Sequence, residues 1–130
     1  MVVAIYSKKI KKEVVMLKLE DRDWKEFFLE DVVVIGSGKR LTKADMQLGN
    51  MPFIGASELN NGITEFTSSI NESLDSNVLG VNYNGSVGFS FYHPYKAIFS
   101  DDVKRVKWLN PVHNNKYTLL FLSSIITIVR

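Results

Sequence analysis

The sequence VVVIGSGKRLT at residues 32–42 places two glycines and two basic residues directly after a β-branched run. Glycine turns of this kind open many phosphate-binding loops, because their backbone N–H groups can point at an anion. Both common nucleotide motifs fail here. A G-x-x-x-x-G-K-[ST] loop would need a glycine at Val33 and a hydroxyl at Arg40. A G-x-G-x-x-G fingerprint would need its third glycine at Leu41.

What remains is a tight turn that presents Lys39, Arg40 and Lys43 to solvent. These cations suit a phosphate backbone, since such a surface attracts a polyanion. An ordinary strand-end turn with a solvated basic tip explains the same residues equally well. The turn by itself leaves both interpretations open.

Catalytic patterns elsewhere in the chain are weak. The acid-x-Lys pattern of many Mg²⁺-dependent nucleases stands at 102–104, but it recurs at 23–25 and lacks an upstream Pro-Asp. Asp101 and Asp102 are adjacent, so their carboxylates diverge and predict a capping or structural role rather than a shared metal ion. A methyltransferase lacks support, because the chain has no Asn/Asp-Pro-Pro-aromatic run. We expect no catalytic residue, metal site or cofactor.

The composition is that of one ordinary globular domain. Of 130 residues, 45% are hydrophobic and 23% are charged. The absence of cysteine excludes disulfides and thiolate sites, and it fits a cytoplasmic location. The apolar run at 117–129 is shorter than the roughly 20 residues that span a bilayer.

Charge is distributed unevenly along the chain, although the net charge is only +2. Residues 1–43 carry ten basic and seven acidic side chains, and residues 96–130 carry six and two. Residues 44–95 carry five acidic side chains, seven asparagines and no Lys or Arg. The pattern therefore predicts that the two ends contact any polyanion, whereas the middle contributes amides and aromatic rings.

Residue periodicity predicts strands followed by a helix. Asn61-Gly62 and Asn84-Gly85 predict hairpin turns, because both residue types tolerate positive φ. Residues 29–35 fit a strand or a short helix, and Thr42 predicts the cap of a short helix that Gly49 ends. The predicted strands are WKEFFL at 24–29, PFIGA at 52–56, ITEFT at 63–67, NVLGVNYNG at 77–85 and SVGFSFY at 86–92.

The last segment changes to helical periodicity. Its predicted stripe is Tyr117, Leu120, Phe121, Ser124, Ile125 and Ile128. We therefore expect an α/β fold of the α+β kind: a curved mixed β-sheet with hairpins and short helices, ending in an amphipathic helix. Since this helix reaches Arg130 without a cap, we expect a C-terminal truncation. Residues 1–23 are predicted to form a leader with weak strand character, and 24–130 a single domain.

Eight short runs occur in an order and spacing that resemble the target-recognition domain of specificity subunits from type I restriction–modification systems, and of related type IIB-like subunits. Together they cover most of the chain, from about residue 24 to 128. The runs are W-K-E-F-F-L-E-D-V, G-K-R-L-T-K-A-D-M, P-F-I-G-A-S, N-N-G-I-T, V-N-Y-N-G-S-V-G, F-Y-H-P-Y, S-D-D-V and N-K-Y-T-L-L-F-L-S-S.

The resemblance implies a domain that reads one half of a split sequence in double-stranded DNA and delivers it to a partner methyltransferase. A restriction subunit and a second half-subunit or second copy are the other implied partners. The family normally carries two such domains separated by long helices. This chain has room for one domain and lacks the helical spacer, so it resembles half a reader or a recombinable cassette.

Under this interpretation the DNA contacts divide by chemistry. Cations neutralise phosphates, whereas amide and other polar side chains at turns read base edges. The predicted phosphate contacts are Lys39, Arg40, Lys43, Lys96, Lys104, Arg105 and Lys107. The predicted base-reading residues are Asn60, Asn61, Asn82, Tyr83, Asn84, Ser86 and His93. Turn geometry alone also explains Asn61 and Asn84, and a surface hydrogen bond also explains His93.

Two other function classes stay open. A Mg²⁺-dependent nuclease would use Asp102, and its activity would be lost on Asp102→Ala. A small protein-interaction module would use the aromatic residues Phe89, Phe91 and Tyr92 together with the final helix, although core packing explains these aromatic residues as well.

Overall fold

The computed structural model of the protein describes residues 2–6 and 24–129. The chain divides into two compact units, Met1–Val32 and Val33–Arg130. Each unit has its own secondary structure, and the residues that carry the predicted contacts all belong to the second.

The first unit contains one antiparallel strand pair. Strand β1 (Val2–Tyr6) pairs with β2 (Trp24–Phe28), and a 3-10 turn at Leu29–Asp31 follows. The short helical turn at Glu30-Asp31 agrees with one of the two alternatives for residues 29–35, and the strand that follows agrees with the other. Most of the predicted leader at 1–23 lies outside the described residues.

The second unit consists of strands followed by a helix, which confirms the predicted α+β class. The strand ITEFT occurs as expected, and β6 and β7 form a hairpin around Asn84-Gly85. The connection is longer than predicted, since it spans 83–89, and positive φ occurs at Gly85 and Ser86 rather than at Asn84. The described elements are β3 (Val33–Ser37), β4 (Leu48–Ile54), β5 (Ile63–Thr67), β6 (Val78–Asn82), β7 (Ser90–His93), β8 (Ile98–Phe99), β9 (Val103–Trp108) and α1 (Lys116–Val129).

The strands of this unit form two sheets. One has the order β3-β9-β6-β7 and is antiparallel throughout. The other has the order β5-β4-β8, in which β4 and β5 are antiparallel and β4 and β8 are parallel, so mixed pairing is confined to this sheet. Because β6 and β9 are central in the first sheet, the turns at their ends project from its middle.

The two sheets share a buried apolar cluster. Ile54 of β4 and Phe99 of β8 pack with Val78 of β6 and Val103 of β9, and all four are at most 1% exposed. Burial of large apolar side chains is the main favourable term in folding. This cluster fixes β8 beside β9, and it thereby fixes the turn at 100–102 that joins them.

Helix α1 covers the other face of the four-stranded sheet, where it contacts β7 and β6. Asn115 caps it, since its Oδ1 accepts hydrogen bonds from the N–H groups of Tyr117 and Thr118 at 3.0 and 3.1 Å. Leu119, Leu122 and Ile126 are buried. In the described part of the chain no helix is long and apolar enough to cross a membrane.

One local prediction was wrong, and the helix α1, which was predicted correctly, packs through a different stripe of residues. Residues 42–49 form no helix: Thr42 Oγ1 donates to Asp45 Oδ2 at 2.7 Å in a turn, and β4 already begins at Leu48. In α1 the predicted apolar stripe faces outward, because Tyr117, Leu120 and Phe121 are 78%, 45% and 54% exposed. The helix is apolar around most of its circumference, and the stripe around Leu119 and Leu122 is the one that packs.

Candidate functional site

An open depression of about 430 Å³ lies where several turns of the second unit meet. One wall is the loop after β3, another is the tip of the β6–β7 hairpin, and the floor includes the turn between β8 and β9. The polar side chains that line it are Arg40, Thr42, Asn84, Ser100, Asp101 and Asp102.

The glycine turn is held tightly against the β8–β9 turn. The Lys39 N–H donates to the Phe99 carbonyl at 2.8 Å. At Gly38 a Cβ atom would lie 1.7 Å from the Ser100 carbonyl oxygen, so only glycine fits. The glycine is therefore required by close backbone packing, and Arg40, two residues further along the chain, lines the depression.

The hairpin tip is fixed to the same turn by Asp102. Its carbonyl oxygen accepts hydrogen bonds from the N–H groups of Tyr83 and Asn84 at 2.9 and 3.2 Å. Its Oδ1 accepts one from Asn84 Nδ2 at 3.0 Å, and its own N–H donates to Ser100 Oγ at 3.0 Å. This network matches the structural role predicted for the adjacent carboxylates.

Tyr83 and Lys104 are close in sequence to Asn84 and Asp102, which line the depression, and we call these two residues its rim. The Lys104 ammonium lies 4.5 Å from the centre of the Tyr83 ring and donates to Ser37 Oγ at 3.1 Å. A cation over an aromatic face is stabilised by the ring quadrupole. Residues after the glycine turn and at the hairpin tip thus line one depression, and Lys104 contacts the adjoining segments through Ser37 and Tyr83.

Strained backbone shapes the hairpin tip. Ser86 has a φ of 47°, between Gly85 at 87° and Gly88 at 89°. Left-handed conformations are ordinary for glycine and uncommon for serine. The predicted residue Ser86 is half-buried in this tip.

Two predicted base-reading residues are interior, and the prediction is corrected for both. Asn82 is 2% exposed, and its Nδ2 donates to the Ser57 carbonyl at 3.0 Å. His93 is 0% exposed and packs edge-on against Phe99, with ring centroids 5.4 Å apart. Neither side chain can reach a base edge in this conformation. Burial also lowers the pKa of His93 to about 4.

The predicted phosphate contacts of Arg105 and Lys107 are also corrected, because both side chains form ion pairs with Asp75. Arg105 Nη1 lies 2.9 Å from Asp75 Oδ2, and Lys107 Nζ lies 2.6 Å from Asp75 Oδ1. Arg105 also donates to the Ser37 carbonyl through Nε and Nη2. Since the Arg105 and Asp75 side chains are only 18% and 17% exposed, this is a structural ion pair.

The remaining predicted cations are at the surface. Lys39 pairs with Glu72 at 3.0 Å and Lys43 with Glu65 at 3.1 Å, and both lysine side chains stay more than half exposed. A backbone hydrogen bond and, second to it, the contact with Lys39 lower the pKa of Glu72. Lys96 is exposed, in the segment between β7 and β8.

Asn60 and Asn61 lie away from the depression. Both have positive φ, 54° and 57°, which the turn prediction required of Asn61 but not of Asn60. Asn61 Nδ2 donates to the Tyr92 carbonyl and to the Tyr95 hydroxyl, both at 3.0 Å. These partners stand at the end of β7 opposite the hairpin tip, so the structure does not bring the two asparagines to the glycine turn.

Thr42 and Asp101 line the depression, and neither was predicted to contact DNA. Each carried a signal that was interpreted differently: Thr42 as a helix cap, and Asp101 as part of a structural pair. Among the described residues no group of three or more His, Asp or Glu side chains is placed to hold a metal ion. The acid-x-Lys pattern at 102–104 therefore gains no support from the geometry.

Comparisons with known proteins identify the family and the fold of the chain. Residues 21–129 match the family model described as Type I restriction modification DNA specificity domain. The chain is 63% identical over 108 residues to the Type II restriction enzyme BgcI specificity subunit S.BcgI of Heyndrickxia coagulans, a match that spans 83% of this chain and 31% of the relative.

A solved structure shows the same fold. The S subunit of a type I restriction–modification system from M. genitalium matches with a TM-score of 0.59 and 21% identity, over 78% of this chain and 27% of that one. The chain thus spans about a third of the length of these relatives. On the match over residues 21–129 and the 63% identity, the chain belongs to the type I restriction–modification DNA specificity domain family.

Proposed function

We propose that this domain binds double-stranded DNA through the depression and its rim, and that it reads half of a split sequence there. The observation that carries the proposal is that residues after the glycine turn and at the β6–β7 hairpin tip line one depression, with Lys104 in contact with Tyr83 and Ser37 beside it. A protruding turn and a hairpin can enter a DNA groove, while cations beside them neutralise phosphates.

The proposed contacts follow from exposure. Lys104 at the rim contacts phosphate, and Lys39, Lys43 and Lys96 extend the basic surface. Tyr83, which is 58% exposed, and Asn84 present aromatic and amide edges at the hairpin tip. Ser86 supports the tip, and Asn60, in the turn before β5, is an outlying polar contact.

The proposed partners come from the family. A domain that only reads DNA needs a methyltransferase to act on the site, so we propose that this chain works with a methyltransferase subunit, a restriction subunit and a second half-reader. The name of the Heyndrickxia coagulans relative, a specificity subunit, supports this role. The proposed setting is the cytoplasm, and this chain itself is proposed to be non-catalytic.

A salt titration of duplex binding tests the proposal. Fluorescence anisotropy of a labelled random-sequence duplex should give an affinity that falls linearly on a log–log plot against salt. Lys104→Ala should make this slope shallower by about 0.9, the value for one lost phosphate contact. Lys116→Ala is the matched control, because Lys116 begins α1, at the Asn77 end of β6 rather than at the hairpin tip.

Three results would contradict the proposal. Absence of duplex binding would favour the protein-interaction alternative. Nicking of plasmid in Mg²⁺ that disappears with Asp102→Ala would favour the nuclease. Equal slopes for Lys104→Ala and Lys116→Ala would remove the depression from the DNA interface.

A further inference from the structure

The depression has a charge composition that does not suit phosphate. It contains one guanidinium, from Arg40, and two carboxylates, from Asp101 and Asp102. A phosphate placed there would face more negative than positive charge, and like charges at short range repel. The ligand of this depression is therefore a group that offers hydrogen-bond acceptors to Arg40 and a donor to a carboxylate.

The two carboxylates differ in their available hydrogen-bonding capacity. Asp102 is half-buried and fixes the hairpin tip through Asn84 and Tyr83. Asp101 is exposed, and its one side-chain hydrogen bond in the described structure is a long contact of 3.5 Å from Ser100 Oγ. Asp101 can therefore accept a hydrogen bond from a ligand, whereas Asp102 holds the wall in place.

Arg40 is similarly available. In the described part of the chain its neighbours Lys39 and Lys43 have acidic partners at 3.0 and 3.1 Å, and no such partner lies within 4 Å of Arg40. Its guanidinium has five N–H donors in a planar fork. That fork matches two adjacent acceptors, such as the O6 and N7 atoms of guanine.

We propose that Arg40 and Asp101 read a G·C base pair in the major groove. Arg40 donates to guanine O6 and N7, and Asp101 accepts from the N4 amino group of cytosine, the pairing expected of an acidic side chain. The inference rests on the proposed duplex binding and deepens it. Arg40 thereby becomes a base-reading residue rather than the phosphate contact expected from the sequence alone.

The experiment begins with the duplex that the 130-residue chain selects from a random pool. Each selected guanine is replaced in turn by 7-deazaguanine, which lacks the N7 acceptor. Each selected cytosine is replaced by 2-pyrimidinone, which lacks the N4 amino group. One guanine and one cytosine substitution should each weaken wild-type binding by about 5- to 150-fold, the range for a good base contact.

The variants assign these losses to residues. Arg40→Ala should lose sensitivity to 7-deazaguanine at that position, and Asp101→Ala should lose sensitivity to 2-pyrimidinone, each keeping its sensitivity to the other analogue. Asp101→Asn should recover part of the cytosine preference, since its Oδ1 can still accept a hydrogen bond. Both side chains are exposed, and thermal unfolding should show that the variants fold like the wild type.

Outcomes separate the two proposals. If the wild type binds no duplex, both fail. The inference alone fails in any of three cases: the selected site contains no G·C pair sensitive to either analogue, Arg40→Ala weakens all duplexes alike, or Asp101→Ala tightens binding to all of them.

Discussion

Gly38 is a residue at which the chain leaves no room for a side chain. Its Cβ position lies 1.7 Å from the Ser100 carbonyl oxygen, and the next N–H donates to Phe99. The residue that first suggested a phosphate loop thus joins two turns through their backbones. Its glycine was visible in the sequence, but the reason for it depends on a contact 62 residues away along the chain.

Gly38→Ala should therefore destabilise the protein and weaken duplex binding. The methyl group must displace the loop or the β8–β9 turn, and forced overpacking costs about 1–3 kcal/mol or more. Urea unfolding measures the first effect and anisotropy the second. Ala44→Gly, at an exposed position in the neighbouring turn, is the control. An unchanged unfolding midpoint for Gly38→Ala would contradict the proposed close contact.

His93 makes stability depend on pH. Burial lowers its pKa from 6.5 to about 4, so the unfolded chain binds a proton in this range that the folded chain does not. The stabilising effect of the neutral ring is complete above pH 6.5 and is lost as the pH falls towards 4. The lowering of the His93 pKa corresponds to about 3 kcal/mol of unfolding free energy.

In a His93→Gln variant the unfolding free energy should depend less on pH between pH 6.5 and 4 than in the wild type, because the titrating group is absent. Urea unfolding at several pH values measures it. His113→Gln, at an exposed position, should keep the wild-type dependence. If the unfolding free energy depended on pH in the same way in the wild type and in His93→Gln, His93 would not be the group responsible.

Among the elements, β5 is the one that the sequence predicts best, because the strand ITEFT occurs with the predicted bounds. The β6–β7 hairpin is predicted in position only, since its connection spans 83–89 and the positive φ angles fall at Gly85 and Ser86. The helix α1 is predictable in position but not in orientation, because its apolar residues surround the axis. At 42–45 the type of element was mispredicted. Thr42 was expected to cap a helix, but it donates a hydrogen bond to Asp45 within a turn, and the same side-chain chemistry serves both structures.

Asn82 at the end of β6 stabilises the fold through its hydrogen bond to the Ser57 carbonyl and does not contact bases. Asn82→Ala should lower the unfolding free energy by about 1–3 kcal/mol, since it leaves the Ser57 carbonyl without its partner. Any loss of duplex affinity should be the same for all sequences. Asn50→Ala, at an exposed position in β4, is the matched control. A change of base preference with unchanged stability would restore Asn82 as a reader.

At the scale of the whole molecule, charge is paired more than the sequence suggests. Acids of the middle segment neutralise cations of the two ends: Glu72 with Lys39, Glu65 with Lys43, and Asp75 with both Arg105 and Lys107. Counting charges along the chain correctly separates basic and acidic segments. It cannot identify the pairs, because these form only when the sheets bring distant residues together.

The central claim is that duplex DNA meets the protein at the depression, and photo-crosslinking tests it most directly. Tyr83 at the rim and Tyr117 on α1 are both exposed, 58% and 78%, so each can be replaced by p-benzoylphenylalanine with little effect on the fold. The account predicts crosslinks to a bound duplex from position 83 and none from position 117. Crosslinks from 117 alone would contradict it.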